Sequence, residues 1–348
     1  MSQDRSEKIS RSNTSFLKDF RRILPGILIS LALLVFVFWS ADLDALGEVL
    51  IGADYRFLIP GLLLFWGLLM ARAMAWRTLL EEKATFRQAF LVLSAGYFIN
   101  NVFPFRLGDV ARAFLLSRST SLRFWQILPT IVIERALDLL IVVCLFLGTL
   151  PFVVGMEGAE GKAMFMGALV FVALAVLALI AYQREWVLAR YRRFQPRFPW
   201  LSRFDSPVAS FLQGLTVFTQ TARFFKMLAW QLLAWALSIL HYHLLLLIFV
   251  PDARLLWATF GISTVGIGIA VPSAPGGLGV IETIVVFVWG LFAINQTTAL
   301  AYALLLRAAN LFSTSIPGIY GLMADGESIF DVYRQLRTQA EHAKEQGK

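Results

Sequence analysis

Ionisable residues sit where an apolar chain has little use for them. Glu134, Arg135 and Asp138 fall deep inside the apolar run 126–150, and Arg307 and Asn310 repeat the Arg135 to Asp138 spacing inside a second run, 297–323. Residues i and i+3 share a helix face. An ionised side chain at the centre of a membrane helix costs about 2.5–3.5 kcal/mol on insertion scales, so these groups are expected to face a protein interior or water, in pairs. Glu282 is the expected acidic partner of Arg307. Two other stretches interrupt the apolar pattern. One is "NNVFPFRLGDVARAF" (100–114), with Asn101, Arg106, Asp109 and Arg112; the other is "PSAPGGLG" (272–279), with Gly276, Gly277 and Gly279. Arg106 and Arg112 near a hairpin tip, and bare N–H groups along 276–279 at the start of a half-helix, suit an anionic phosphate. The plainer reading is that the glycines permit a tight turn and Arg106 pairs with Asp109. Likewise, the buried charges either serve a site or lock helices together. Glu134, Asp138 and Glu282 are also of the type that can bind a coupling proton.

Other chemistries find no support. His241 and His243 point to opposite faces of a helix and make a poor chelating pair. Asp42 and Asp44 imitate a sugar-nucleotide metal motif in a loop too short to hold a transferase domain, and no phosphate loop, nucleophile triad or zinc spacing occurs. The single Cys144 lies in an apolar run, leaving no disulfide framework. No metal and no cofactor are expected. With 58% hydrophobic and 16% charged residues over 348 positions, and a mean hydropathy of +0.69, the composition is that of an integral membrane protein. The net charge of +8 fits cytoplasmic loops facing anionic lipid, not nucleic acid.

Elements that would position these residues follow from length and charge. The basic lead 1–22 is expected in the cytoplasm, and the run 23–39 reads as a first membrane helix, not a signal peptide. An acidic connection, 41–56, then lies outside. Helices are predicted at 57–75, 126–150, 163–182, 227–250 and 297–323, with the most basic connection at 183–226 and a polar helical tail at 326–348 inside. The fold class is an all-α polytopic membrane protein with about six spanning helices. Two broken or re-entrant helical hairpins, 89–123 and 255–295, each return the chain to the side it came from. Parity leaves open whether they are shallow or near-spanning. The expected location is the cell inner membrane, with both termini cytoplasmic.

The halves 57–150 and 227–323 of a single transmembrane domain, 23–325, repeat one another. "PFRLGD" (104–109) and "PGGLGV" (275–280) share Pro, Leu and Gly in register, and Pro104 and Pro275 precede Arg135 and Arg307 by 31 and 32 residues. Hairpins entering from opposite sides imply a pseudo-two-fold axis in the membrane plane. Backbone broken at membrane depth must line protein or water.

Together, "NNVFPFRLGDVAR", "ERALD" and "PSAPGGLGVIE", in that order, resemble the flippase-like family named after the transmembrane region of lysylphosphatidylglycerol synthase, over roughly 20–325. The resemblance implies a polytopic domain that moves amphiphilic lipids between leaflets. It implies a translocation site at Asn101, Pro104, Arg106, Gly108, Asp109, Arg112, Glu134, Arg135, Asp138, Pro275, Gly276, Gly277, Gly279 and Glu282. No soluble aminoacyltransferase domain follows residue 325, so synthesis of a lysyl-lipid by this chain alone is not expected. Two functions are carried forward. The first is translocation of an anionic or zwitterionic phospholipid, or a polyprenyl-phosphate-linked lipid, through a polar groove between the hairpins. The second is a catalytic or accessory membrane subunit of a headgroup-modifying (aminoacyl or glycosyl transferase) system. The expected partners are the lipid substrate, anionic lipid at the cytoplasmic loops and a lipid-modifying enzyme.

Overall fold

Thr85 starts a helix directly after another has ended. Its hydroxyl accepts from the Gln88 N–H at 3.2 Å, while Gln88 Oε1 accepts from the Thr85 N–H at 2.9 Å, a reciprocal cap that satisfies two donors the first turn leaves open. Such caps and breaks divide the apolar chain. The computed structural model describes residues 42–103, 107–153, 221–269 and 275–324, with the single positions 35, 155, 190 and 193. The described residues form α1 (Leu43–Ile51), α2 (Leu58–Leu79), α3 (Phe86–Val102), α4 (Leu107–Ser119), α5 (Phe124–Val153), α6 (Thr221–Leu247), α7 (Leu255–Gly268), α8 (Val280–Gly290) and α9 (Gln296–Ala324). No strand occurs among them.

Four helices are long and apolar enough to cross a membrane, corresponding to α2, α5, α6 and α9. The helices predicted at 23–39 and 163–182 lie outside the described residues, as do the lead, most of the connection 183–226 and the tail. The bounds of two predicted helices need correction. The helix placed at 57–75 continues to Leu79, and the one placed at 227–250 begins inside the basic connection at Thr221 and ends at Leu247. Helices continue until a cap or a break ends them, and Lys or Arg in a terminal turn is no break. The acidic connection 41–56 is not a plain loop: Asp42 caps α1 through bonds from the N–H groups of Asp44 and Ala45 at 3.1 and 3.0 Å.

Both odd segments are helical hairpins. Their arms, of 17 and 13 residues in α3 and α4 and 14 and 11 in α7 and α8, rise about 1.5 Å per residue and so fall short of a ~30 Å hydrocarbon core. The pairings fix their directions. α2 and α6 pack antiparallel, Gly61 meeting Leu245 and His241 while Gly67 meets Leu237. α3 runs antiparallel to α9, with Gly318 against Ser94 and Gly321 against Leu91; α7 runs antiparallel to α5, with Gly266 against Val142 and Phe260 stacked on Phe146.

Exchanging the halves, so that α2, α3, α4 and α5 become α6, α7, α8 and α9, carries this packing onto itself. Each hairpin's second arm packs on its own half's spanning helix, α4 on α5 and α8 on α9. Each first arm packs on the other half's spanning helix, α3 on α9 and α7 on α5. The two first arms therefore run in opposite directions and their tips meet, a Cβ built on Gly276 falling 3.2 Å from the Asn101 carbonyl oxygen.

Glycine makes the first hairpin possible. A Cβ on Gly108 would lie 1.8 Å from the Gly96 carbonyl oxygen, and one on Gly96 would lie 2.4 Å from Arg112 Cγ. The Gly108 N–H donates to Asn100 Oδ1 at 2.8 Å, so side chains close the break that the backbone leaves. At the far end of α2, Glu81 and Glu82 adopt positive φ of 57° and 58°, and ion pairs hold them: Lys83 and Arg223 on Glu81, at 2.8 and 3.4 Å, and Lys226 on Glu82.

Gly108→Ala is expected to destabilise the protein by about 1–3 kcal/mol or more through forced backbone displacement, whereas Gly148→Ala, with nothing within 4 Å, is near neutral. Thermal unfolding in detergent compares the two. The hydrogen bond from Lys83 holds the Glu81 carboxyl below the usual carboxylate range, and that from Lys226 does the same for Glu82. Depressed folded values mean that their contribution is present above the ordinary carboxylate range, about pH 4.3, and is lost as pH falls through the folded values. A Glu81→Gln/Glu82→Gln variant should therefore lose less stability than wild type when taken from pH 6 to pH 3.

Candidate functional site

Charges gather on one face of α5. Arg72, from the middle of α2, donates to both oxygens of Asp138 at 3.0 and 2.8 Å; Gln231 and Trp235, from α6, donate to Asp138 Oδ1 at 2.6 and 3.0 Å. Arg112, from α4, forks onto Glu134 at 3.2 and 2.7 Å, and its guanidinium lies 4.1 Å from the ring centre of Trp76. Arg135 bridges the two acids, reaching Glu134 at 2.8 Å and Asp138 at 3.3 Å. Asp109, in the first turn of α4, stands 3.8 Å from Arg135 and 3.9 Å from Arg112. Arginines 72, 112 and 135 thus face carboxylates 109, 134 and 138. Paired charges of this kind withstand burial where isolated ones do not, since the interior strengthens their attraction and hydrogen bonds fill the remaining valences.

A smaller arrangement repeats in the second half. Arg307 donates through Nε to Glu282 and through Nη1 to the Gly276 carbonyl at 3.1 Å. The other Glu282 oxygen accepts the Gly279 N–H at 2.8 Å, closing the start of α8. Gly276, Gly277 and Gly279 have φ of 62°, 69° and 80°, a region that glycine enters without Cβ strain. Asn310, one turn along α9 from Arg307, meets His241 Nε2 at 3.2 Å, and His241 Nδ1 lies 2.8 Å from the Gly61 carbonyl oxygen. Asn101 donates to Thr314 Oγ1 at 3.1 Å, and Thr314 donates to the Asn310 carbonyl at 2.8 Å, joining the first hairpin tip to the second half.

Most of the residues expected from sequence converge, in two clusters that meet at the tips. Arg307 pairs with Glu282 as its position implied. Arg106 and Pro104 lie outside the described residues. Two expectations change. Arg112 is not a free phosphate ligand, because its side chain is 0% exposed and two of its nitrogens bond Glu134. The 276–279 run is not a row of bare donors, since the Gly279 N–H is taken by Glu282. By contrast, Arg135 and Arg307 remain 30% and 24% exposed; Arg135 Nε, Arg307 Nη2 and Arg112 Nε are each buried without a hydrogen-bond partner.

Sequence reasoning missed Arg72, Gln231, Trp235 and the structural use of His241. Arg72 had a signal, a lone arginine inside "LLMARAMAW" (68–76). A charge at that depth requires a partner. The other three had none, because a polar residue on an apolar helix does not name its neighbour.

Comparison with known proteins identifies the family of the chain. The model of the family described as "Lysylphosphatidylglycerol synthase TM region" matches residues 23–318. A UPF0104 membrane protein of Methanocaldococcus jannaschii is 23% identical over 324 residues, covering 86% of this chain and 92% of that relative. No solved structure matches.

Arg72→Met strands Asp138 without its closest guanidinium and should cost about 3–5 kcal/mol. Adding Asp138→Asn removes the unbalanced charge while keeping an acceptor for Gln231 and Trp235, so the double variant should unfold at a higher temperature than Arg72→Met alone. A double variant no more stable than the single one refutes the pairing as the source of the cost.

Proposed function

The chain belongs to the lysylphosphatidylglycerol synthase TM region family, and from that premise we propose that this multi-pass membrane protein moves lipid across the bilayer. The cargo is an anionic or zwitterionic phospholipid or a polyprenyl-phosphate-linked lipid. Its polar head passes the meeting hairpin tips while its acyl or prenyl tails stay in hydrocarbon.

One observation carries the reading. The two arginines at repeat-related positions, Arg135 and Arg307, are the most exposed charged side chains of their clusters, at 30% and 24%. A partly exposed guanidinium beside a tip where two broken helices meet suits a phosphate oxygen. The buried acids hold these arginines in place, so a phosphate meets a preorganised cation that need not be desolvated anew. Packing that maps onto itself with reversed direction gives the two halves equivalent positions from which to open alternately to either side.

The charge distribution supports an inner-membrane orientation with cytoplasmic termini. Arg77, Lys83, Arg87, Arg118, Arg123, Arg223 and Lys226 lie where α2, α3, α4, α5 and α6 begin or end at one common side, and Asp42, Asp44, Glu48 and Asp54 lie at the other. Positive-inside bias puts the first side in the cytoplasm, facing anionic lipid.

The protein reconstituted in vesicles should move a fluorescent phosphatidylglycerol analogue between leaflets. Arg135→Ala and Arg307→Ala should each slow it by about tenfold to a hundredfold, the worth of one charge-assisted hydrogen bond, while Arg254→Ala at the exposed start of α7 leaves it unchanged. Equal rates in wild type and both variants sink the proposal. Turnover of a headgroup donor by the purified protein would replace it with the lipid-modifying reading.

A further inference from the structure

The transport reading leaves open what besides lipid the site binds, and Glu134, Asp138 and Glu282 are the first places to look for a coupling ion. They do not fit. Glu134 bonds two guanidinium groups, Asp138 bonds two together with Gln231 and Trp235, and Glu282 bonds Arg307 and a backbone N–H. A proton on any of them would replace an acceptor with a donor facing donors and leave a guanidinium without its counter-charge.

His241 differs. It is 1% exposed, at the crossing of α6, α2 and α9, with its ring edge-on to Phe65 at 5.2 Å between centres. The Gly61 carbonyl 2.8 Å from Nδ1 can only accept, so Nδ1 carries hydrogen whatever the charge of the ring. Nε2, 3.2 Å away, faces the side-chain amide of Asn310. Turned one way, that amide donates to a neutral Nε2; turned the other, it accepts from a protonated one. Both ring states therefore keep both ring nitrogens hydrogen-bonded.

We propose that His241 is the proton-binding site of the second half, taking a proton at Nε2 from water reached through the site as the Asn310 amide turns from donor to acceptor. The inference rests on the transport reading for its role but not for its existence. A protonated His241 adds a positive charge against Asn310, which lies one helical turn along α9 from Arg307, the partly exposed guanidinium proposed to meet the lipid phosphate. Asn310 in turn connects through Thr314 to Asn101 at the first hairpin tip. Proton uptake thus strengthens the pull on an anionic headgroup at the place where the two tips touch.

The surroundings contain few competing charges. α2 presents no ionisable side chain from Leu58 to Leu69, its nearest being Arg72, and α7 carries none along its length. α9 contributes Arg307, balanced by Glu282 of α8, and Tyr302, whose hydroxyl donates to the Tyr242 carbonyl at 3.3 Å. On α6 itself the neighbours are Tyr242 and His243, and His243 Nδ1 has no hydrogen-bond partner.

Two measurements on the full-length protein decide the matter. In the first, histidine-labelled protein in lipid nanodiscs is titrated by NMR from about pH 5 to pH 8.5, the range in which imidazole changes charge. Spectra of His241→Gln and His243→Gln assign the rings. The His241 ring should titrate, and Asn310→Leu, which offers neither donor nor acceptor, should move its midpoint by about one pH unit or more. In the second, leaflet transfer of fluorescent phosphatidylglycerol in vesicles should change with pH on a limb approaching tenfold per unit, as one proton requires. His241→Gln should flatten that limb and His243→Gln should keep it. A His241 ring that does not titrate overturns the proposal, as does a wild-type pH profile in His241→Gln. If wild type moves no lipid at any pH, the transport reading fails by itself, and the NMR titration alone then upholds or overturns the proton site.

Discussion

A guanidinium or carboxylate buried among apolar helices survives only opposite its counter-charge, and that requirement organises the core of this protein. Asp138 shows it most directly. Four donors from three helices converge on one carboxylate: Arg72 of α2, Arg135 of α5, and Gln231 and Trp235 of α6. Lipid offers α2, α5 and α6 almost no hydrophobic reason to prefer one another over acyl chains. Small residues permit their close approach, and the charge cluster selects the partners.

The same requirement explains the division of labour among the arginines. Arg112 and Arg72 are spent inside the protein, the first sealed against Glu134 and Trp76 and the second against Asp138 and Trp235. They set the positions of the acids. Arg135, which shares those acids, and Arg307, which pairs with Glu282, remain partly open. The sealed arginines hold geometry, and the partly open ones are those proposed to meet the lipid phosphate.

The two halves share an architecture and differ in chemistry. Where Arg72 of α2 pairs with Asp138 of α5, His241 of α6 meets Asn310 of α9. In each case the helix preceding the hairpin reaches the residue one turn beyond the exposed arginine. The first half fills this place with a permanent ion pair and the second with a neutral pair able to take up charge. The hairpin tips lie between the halves, and glycine at 96, 108 and 276 lets backbone approach side chain and backbone closely there.

Sequence alone determined that the chain belongs in a membrane, that two interrupted hairpins precede two charged helices, and that Arg135 with Asp138 and Arg307 with Asn310 share helix faces. Each of these is a matter of composition or of spacing along one helix, which the 3.6-residue period makes legible. Glu282 was assignable to Arg307 because a lone buried arginine needs an acid and few were near. Tertiary structure decided the rest: that Arg72 is the guanidinium closest to Asp138, that Arg112 pairs with Glu134, that the Gly279 N–H is closed, and that the tips touch between Asn101 and Gly276. Periodicity states which face of a helix must be buried. It cannot state which helix lies against that face, because pairs such as Arg72 with Asp138 or His241 with Gly61 join residues far apart in the chain through crossings that only the packed bundle defines.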